Sequence, residues 1–294
     1  MRRLVCCATV GCAAVLLATG CKPETIIATE NIPTSGVRFI NAVPDTAGAF
    51  GLDLRFVDIV ENSAQFRVAF RNAPSTASGV TTAAAVQYKP ARAGQRRFAI
   101  FMDDTIQSIA QVKLKDTTVS LVAGTNYTAI LWGGARTGAT PGIKLSFITE
   151  AVPDPGARVA LRVINATGSP IDVRQYLATG TAPADPTWAN VAPLSASSYV
   201  LVPASQIRYN VQPAGGGTAL FADALALIGA PASSSAGVGG KLDIDPLPGT
   251  TIAGSAVSLI VFPRSTAGTR TPQTAAFQVP AGGFVWDRRP PRGY

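Results

Sequence analysis

Histidine is absent from all 294 residues, and the four cysteines, Cys6, Cys7, Cys12 and Cys21, all fall within the first 21 positions. The first absence removes the commonest general base, the Ser-His-Asp and Cys-His arrangements and the commonest zinc ligand. The second leaves the chain beyond residue 21 without a thiol nucleophile or a disulfide, so apolar burial alone is expected to hold it together. No G-x-S-x-G nucleophile elbow occurs. GVGGKLD (237–243) has part of a phosphate loop, but Ser235 stands where the first glycine belongs and Leu242 where Ser or Thr belongs; it reads as a flexible loop. Past residue 21 no apolar run reaches the roughly 20 residues that cross a bilayer. Helical periodicity is scarce too. Only ALFADALALI (219–228) could form a short helix, and it reads equally well as a buried strand.

The N-terminus is more informative. Arg2 and Arg3 precede Leu4–Ala18, an uncharged apolar stretch of about 15 residues that suits the core of an export signal. It ends in LLATGC, which resembles the bacterial lipoprotein signal. The resemblance implies cleavage after residue 20 and lipidation of Cys21, with palmitate as a label for the attached chains. Each buried CH₂ contributes about 0.8 kcal/mol, so two or three chains would hold the protein on a membrane where one would not. Lys22 follows the cysteine in place of the aspartate that retains such proteins at the inner membrane, which points to the outer membrane. Without Arg2 and Arg3 the remainder carries 23 basic and 17 acidic residues. That balance suits a solubilising surface or weak contact with anionic envelope polymers.

Residues 22–35, KPETIIATENIPTS, are polar, hold Pro23 and Pro33, and read as a tether. From Val37 onward the pattern has period two: Leu52, Leu54 and Phe56 against Asp53 and Arg55; then Phe66, Val68 and Phe70; Phe98, Ile100 and Met102; Tyr127, Ala129 and Leu131; Leu145 and Phe147. Alternation of this kind is the mark of half-buried strands separated by turn residues. VRFINAVPD (37–45) also returns as LRVINATGS (161–169), matching Arg38 with Arg162, Ile40 with Ile164, Asn41 with Asn165 and Ala42 with Ala166. GLDLRFV (51–57) parallels PIDVRQY (170–176), setting Asp53 against Asp172 as outward-facing aspartates of the second strand. Two copies of one fold explain the repeat. The break between them falls in TEAVPDPGAR (149–158), where Pro153, Pro155 and Gly156 interrupt strand pairing.

VRFINAVPD, the Asp53 strand and VSLVAGTNYTAILWGG (119–134) together resemble the DUF4397 domain, with Ala123, Gly124, Tyr127 and Thr128 supplying its later strand. The resemblance is good over 37–150 and weaker in the second copy, where ATGSP replaces the Pro-Asp turn and VSLIVF (257–262) lacks the tyrosine. It implies an immunoglobulin-like β-sandwich, occurrence in envelope and secreted proteins, and no activity to carry over. The sequence therefore predicts an all-β protein: a signal peptide (1–20), a lipidated N-terminus and tether (21–35), two tandem antiparallel β-sandwich domains (36–150 and 158–287) and a basic tail (288–294).

Asn41 and Asn165 suit turns in which the side chain bonds the following backbone, with Pro44 fixing φ and Asp45 completing the turn. Asp103 with Asp104, and Asp243 with Asp245, are the acidic pairs that could join a calcium site, although neither fits an EF-hand loop. The same carboxylates could serve a hydrolase of envelope sugars. No cofactor and no catalytic residue are assigned. The expected role is a non-catalytic, lipid-anchored module that meets the membrane through its lipid and binds an envelope polysaccharide or protein. Nucleic acid is not an expected partner, for lack of a recognisable module. The rival readings are the glycoside hydrolase and a calcium-stabilised adhesin.

Overall fold

The computed structural model describes residues 32–46, 51–59, 66–72, 88–237 and 240–291. The leader, Cys21 and most of the tether lie outside the described residues. The regular structure is nearly all strand. In the first half these are β1 (Thr34–Ala42), β2 (Gly51–Phe56), β3 (Phe66–Val68), β4 (Lys89–Arg92), β5 (Gly94–Asp103), β6 (Lys113–Leu121), β7 (Asn126–Trp132) and β8 (Lys144–Thr149). They form two four-stranded sheets, β4-β1-β7-β8 and β3-β2-β5-β6. The second half holds β9 (Arg158–Asn165), β10 (Ile171–Leu177), β11 (Trp188–Val191), β12 (Ser195–Ala196), β13 (Val200–Pro203), β14 (Ile207–Pro213) and β15 (Phe221–Leu225). It continues with β16 (Ser233–Gly237), β17 (Gly240–Ile244), β18 (Ala256–Phe262) and β19 (Ala281–Arg288). One sheet runs β12-β9-β18-β19 with β13 also on β9, the other β11-β10-β14-β15, and β16 and β17 pair as a separate hairpin.

Each half is thus a pair of packed sheets, and no sheet crosses 150–157. Among the described strands pairing is antiparallel except that β1 runs parallel to β7 and β9 parallel to β18. A parallel neighbour needs a long crossover, supplied here by the other sheet of the same half. The 219–228 segment contributes a strand, not a helix. GVGGKLD lies across the β16–β17 hairpin, with Gly237 opposite Gly240. The segment read as a tether ends earlier than expected, because Thr34 and Ser35 already pair with Arg92 and Ala91 on β4.

The alternation resolves into three apolar layers. Val37, Phe39, Leu52, Leu54, Phe98, Ile100, Tyr127, Ala129 and Leu131 fill the interior of the first half. Val159, Leu161, Val163, Val173, Tyr209, Val211, Val257 and Leu259 fill that of the second. A third cluster joins Ile40, Ala42, Ile130 and Trp132 of the first half to Ile164, Ala166, Ile260, Phe262 and Val285 of the second. The sheets carrying β1 and β9 therefore pack against each other, giving four layers of sheet. Pro33 onward forms one compact unit. This explains why β1 is buried almost continuously: odd residues face its own partner sheet, even residues the other half. Parallel strands covered on both faces read as such runs.

The outward aspartates of the repeat are in fact buried, Asp53 at 1% and Asp172 at 8% exposure. Arg55 Nε reaches Asp53 Oδ2 at 2.7 Å. Asp172 accepts the amides of Asn190 at 2.7 Å and Gly215 at 3.0 Å, so it ties two loops to β10. For Asp172 the loops it ties down fold over the sheet, and a carboxylate that satisfies their amides is tolerated inside. Asp53 is held by Arg55 through Oδ2, while its Oδ1 is buried without a hydrogen bond.

Candidate functional site: the seam between the halves

Three of the residue pairs identical in the two copies, Arg38/Arg162, Ile40/Ile164 and Ala42/Ala166, face the seam. Arg38 and Ile40 on β1 meet Arg162 and Ile164 on β9 across it, joined by Thr128 of β7 and Ser258 of β18. Arg38 Nε donates to Thr128 Oγ1 at 2.7 Å, and Arg162 Nε donates to Ser258 Oγ at 2.7 Å. The ring of Tyr88 lies 4.7 Å from the Arg38 guanidinium, and that of Tyr199 lies 4.7 Å from Arg162. Each half also contributes one carboxylate, Glu150 just past β8 and Asp287 near the end of β19. Arg38 pairs with both, at 3.2 Å to Glu150 and by a short bond to Asp287. Arg162 pairs with both as well, by a short bond to Glu150 and at 3.3 Å to Asp287. The Thr128 hydroxyl donates to Glu150, the Ser258 hydroxyl donates to Asp287, and Tyr199 Oη donates to Asp287 at 2.8 Å.

These four charged side chains are 0–4% exposed and sum to zero. Burial alone would push the Asp287 carboxyl up, but Arg38 and Arg162, with the Ser258 and Tyr199 hydroxyls, hold it below the ordinary range. Burial opposes the charge on Arg38 as well, yet Asp287, Tyr88 and Glu150 leave its pKa raised. Burial, with Asp287 next, raises the Tyr199 phenol. Arg38, Arg162 and Asp287 all keep their usual charges at neutral pH, so the cluster is an internal ion lattice, not an acid–base pair. Apolar burial is therefore not the sole tie between the halves, contrary to expectation.

Further ties run along the seam. Arg71, fully buried at φ 57°, sends its guanidinium to the carbonyls of Pro263 (2.7 Å), Ala276 (3.0 Å), Phe277 (3.2 Å) and Val279. Burial lowers its pKa to about 10, which leaves it cationic at neutral pH. The rings of Phe70 and Phe277 sit 6.0 Å apart beside it. The carbonyl of Pro44 accepts from the Thr266 amide at 2.7 Å and the Thr271 hydroxyl at 2.8 Å.

The turn asparagines occupy equivalent places. Asn41 Oδ1 accepts the Val43 amide at 3.0 Å and its Nδ2 donates to the Val68 carbonyl at 2.9 Å. Asn165 Oδ1 accepts the Thr167 amide at 2.9 Å and its Nδ2 donates to Val191 O at 3.0 Å. Asp45 accepts the amides of Ala135 (2.9 Å) and Arg136 (3.2 Å), shaping the loop after β7. That loop, the Pro44–Asp45 turn and the Ala166–Gly168 turn enclose a groove of about 480 Å³. Gly133 at its edge has φ +82° and lies so close to the Gly142 carbonyl that a Cβ would meet it at 2.4 Å, so only glycine fits. The two exits of the repeat thus open onto one concavity at the end of the seam. The sequence marked the turns but gave no signal that they would meet.

Asp103 and Asp104 turn to different partners. Asp103 pairs with Arg67 at 3.1 Å, whereas Asp104 reaches across to Arg270 at 2.8 Å. Asp243 is on β17, its side chain outside the described residues, and Asp245 follows that strand. Among the described residues no group of three or more metal-ligating Asp, Glu, Cys or His side chains occurs.

Fold and seam define a class: an all-β protein of paired sandwiches with an internal pseudo-twofold interface. Residues 35–174 match the family model "Domain of unknown function (DUF4397)", which bears out the resemblance carried by VRFINAVPD. The matched span runs past the first half into β10 and holds three of the four seam charges, Arg38, Glu150 and Arg162. No curated protein matches the sequence. Among solved structures, the chain has a remote likeness to a "Putative cell adhesion protein" from Parabacteroides distasonis. Identity is 7%, covering 89% of this chain and 100% of that one, with a TM-score of 0.20, too low to bear on fold or function.

Proposed function

We propose that the protein is a lipid-anchored module of the cell envelope that binds an envelope polysaccharide or protein and catalyses no reaction. The observation that carries the reading is the leader, a short apolar stretch closing on LLATGC, in a chain without histidine or any later cysteine. The engagement of Asp103 and Asp104 by arginines on different elements also supports it, because both carboxylates serve the scaffold. The lipid on Cys21 fixes the location, at the outer membrane by the Lys22 criterion, and the following segment gives reach.

Two measurements test this. Labelled palmitate should enter the wild-type protein and not Cys21→Ser, and the variant should leave the membrane fraction; labelling that survives the substitution overturns the anchor. Purified protein incubated with envelope polysaccharides should release no reducing ends. Release that Asp103→Asn or Asp104→Asn abolishes overturns the non-catalytic reading in favour of the hydrolase.

A further inference from the structure

We infer that the groove at the end of the seam is a binding site for a sugar acid, a uronate residue of an anionic polysaccharide. The inference deepens the envelope-polymer reading and rests on it. Three observations select the ligand. The groove, about 480 Å³, lies within the roughly 300–1,000 Å³ of small-molecule sites. Its charge is one-sided. The Asp45 carboxylate is 6% exposed and taken up by two backbone amides, so it offers nothing to a ligand. The Arg136 guanidinium is exposed, and among the described residues it has no carboxylate partner. A guanidinium presents a planar fork that matches a carboxylate.

The rest of the lining is hydroxyl and aromatic. Thr137, Thr140 and Thr266 bring side-chain hydroxyls that can both donate and accept. Trp132 lines the same groove, with Lys144 Nζ 5.2 Å from its ring and its indole N–H given to Ser146 Oγ at 3.2 Å. The Trp132 ring, 7% exposed and packed in the seam cluster, borders the groove without offering a stacking face. The hydroxyls suit the rim of a pyranose, and the lone guanidinium adds the demand for a carboxylate. The Asp45 amide bonds fix the loop that carries Arg136, so the site is formed before the ligand arrives.

Isothermal titration of the full chain with galacturonate, with oligogalacturonate and with galactose tests the inference. Both uronates should bind, the oligomer more tightly if the natural source is a polymer, and galactose should bind at least about tenfold more weakly. Arg136→Ala should weaken uronate binding about tenfold and Arg136→Lys less, with the thermal melting curve unchanged because the side chain is exposed. Absence of uronate binding, galactose binding of equal strength, or full affinity in Arg136→Ala overturns the site. Membrane association of the same preparations separates the two readings. An anchored protein that ignores uronates loses only this inference, whereas uronate binding with cleavage keeps the site and removes the non-catalytic role.

Discussion

At the scale of single residues, the seam charges decide most. Asp287 is bound by two arginines, a serine and a tyrosine with no solvent to replace them. Removing one member of a buried ionic group leaves the rest uncompensated and typically costs about 3–5 kcal/mol. Asp287→Ala is therefore expected to lower the urea-unfolding free energy by about that amount. The pH dependence follows from the same bonds. Burial works against the Asp287 anion, but the arginines prevail and its folded-state pKa lies below the ordinary 3.8. A depressed carboxyl contributes stability that is complete above the unfolded value and is lost as pH falls through the folded one. Wild-type stability should thus decline below about pH 4, and the acid limb should be shallower in Asp287→Asn. Equal acid limbs would show that Asp287 titrates alike in both states.

At the scale of elements, period-two alternation made the strands legible, because Leu52, Leu54, Phe98, Ile100 and Tyr127 face inward as their spacing demands. It did not disclose the second buried face of β1 and β9. A strand with Arg38 between Val37 and Phe39 reads as half-solvated, and only the carboxylates at 150 and 287, far away in sequence, reveal that the arginine is inside. The clue lay in which positions repeated. Apolar own-core residues of this strand matched only in type, Val37 with Leu161 and Phe39 with Val163, whereas Arg38, Ile40 and Ala42 on the seam matched in identity. The identical Asn41/Asn165 and Asp53/Asp172 pairs bond within their own halves. An interface related by a twofold places the same patch on both sides and constrains both copies alike. The groove stayed hidden for a similar reason, since its walls come from 44–45, 132–141, 166–168 and 263–266. A check on the equivalence is available. Ile40→Ala and Ile164→Ala should each cost about 2–5 kcal/mol by denaturant titration, while Thr118→Ala on exposed β6 should stay within about 0.5 kcal/mol.

At the scale of the molecule, the seam determines whether two halves behave as one. Tandem domains joined by a short proline-rich linker commonly unfold separately when their contact is small and polar. Here the contact holds a full apolar cluster, four paired charges and the Arg71 guanidinium on carbonyls more than 190 residues away. Several of these ties cross from one half to the other: Arg71 reaches carbonyls in the segment 263–279, Arg38 reaches Asp287, and Glu150 reaches Arg162 on β9, while Arg38–Glu150 and Arg162–Asp287 close the cluster within each half. Loss of either half's fold would expose Ile40, Ile130, Ile164 and Ile260 and strand buried charge, so each half raises the free energy of opening the other. Calorimetry should show one transition with equal van't Hoff and calorimetric enthalpies. Arg71→Ala combined with Ile164→Ala removes ties at two places on the seam and leaves both inner cores intact. That variant should broaden or split the transition, whereas a core substitution such as Val211→Ala should shift it without splitting. Two resolved transitions in the wild-type protein would mean that the inner cores outweigh the seam and that the halves are energetically independent.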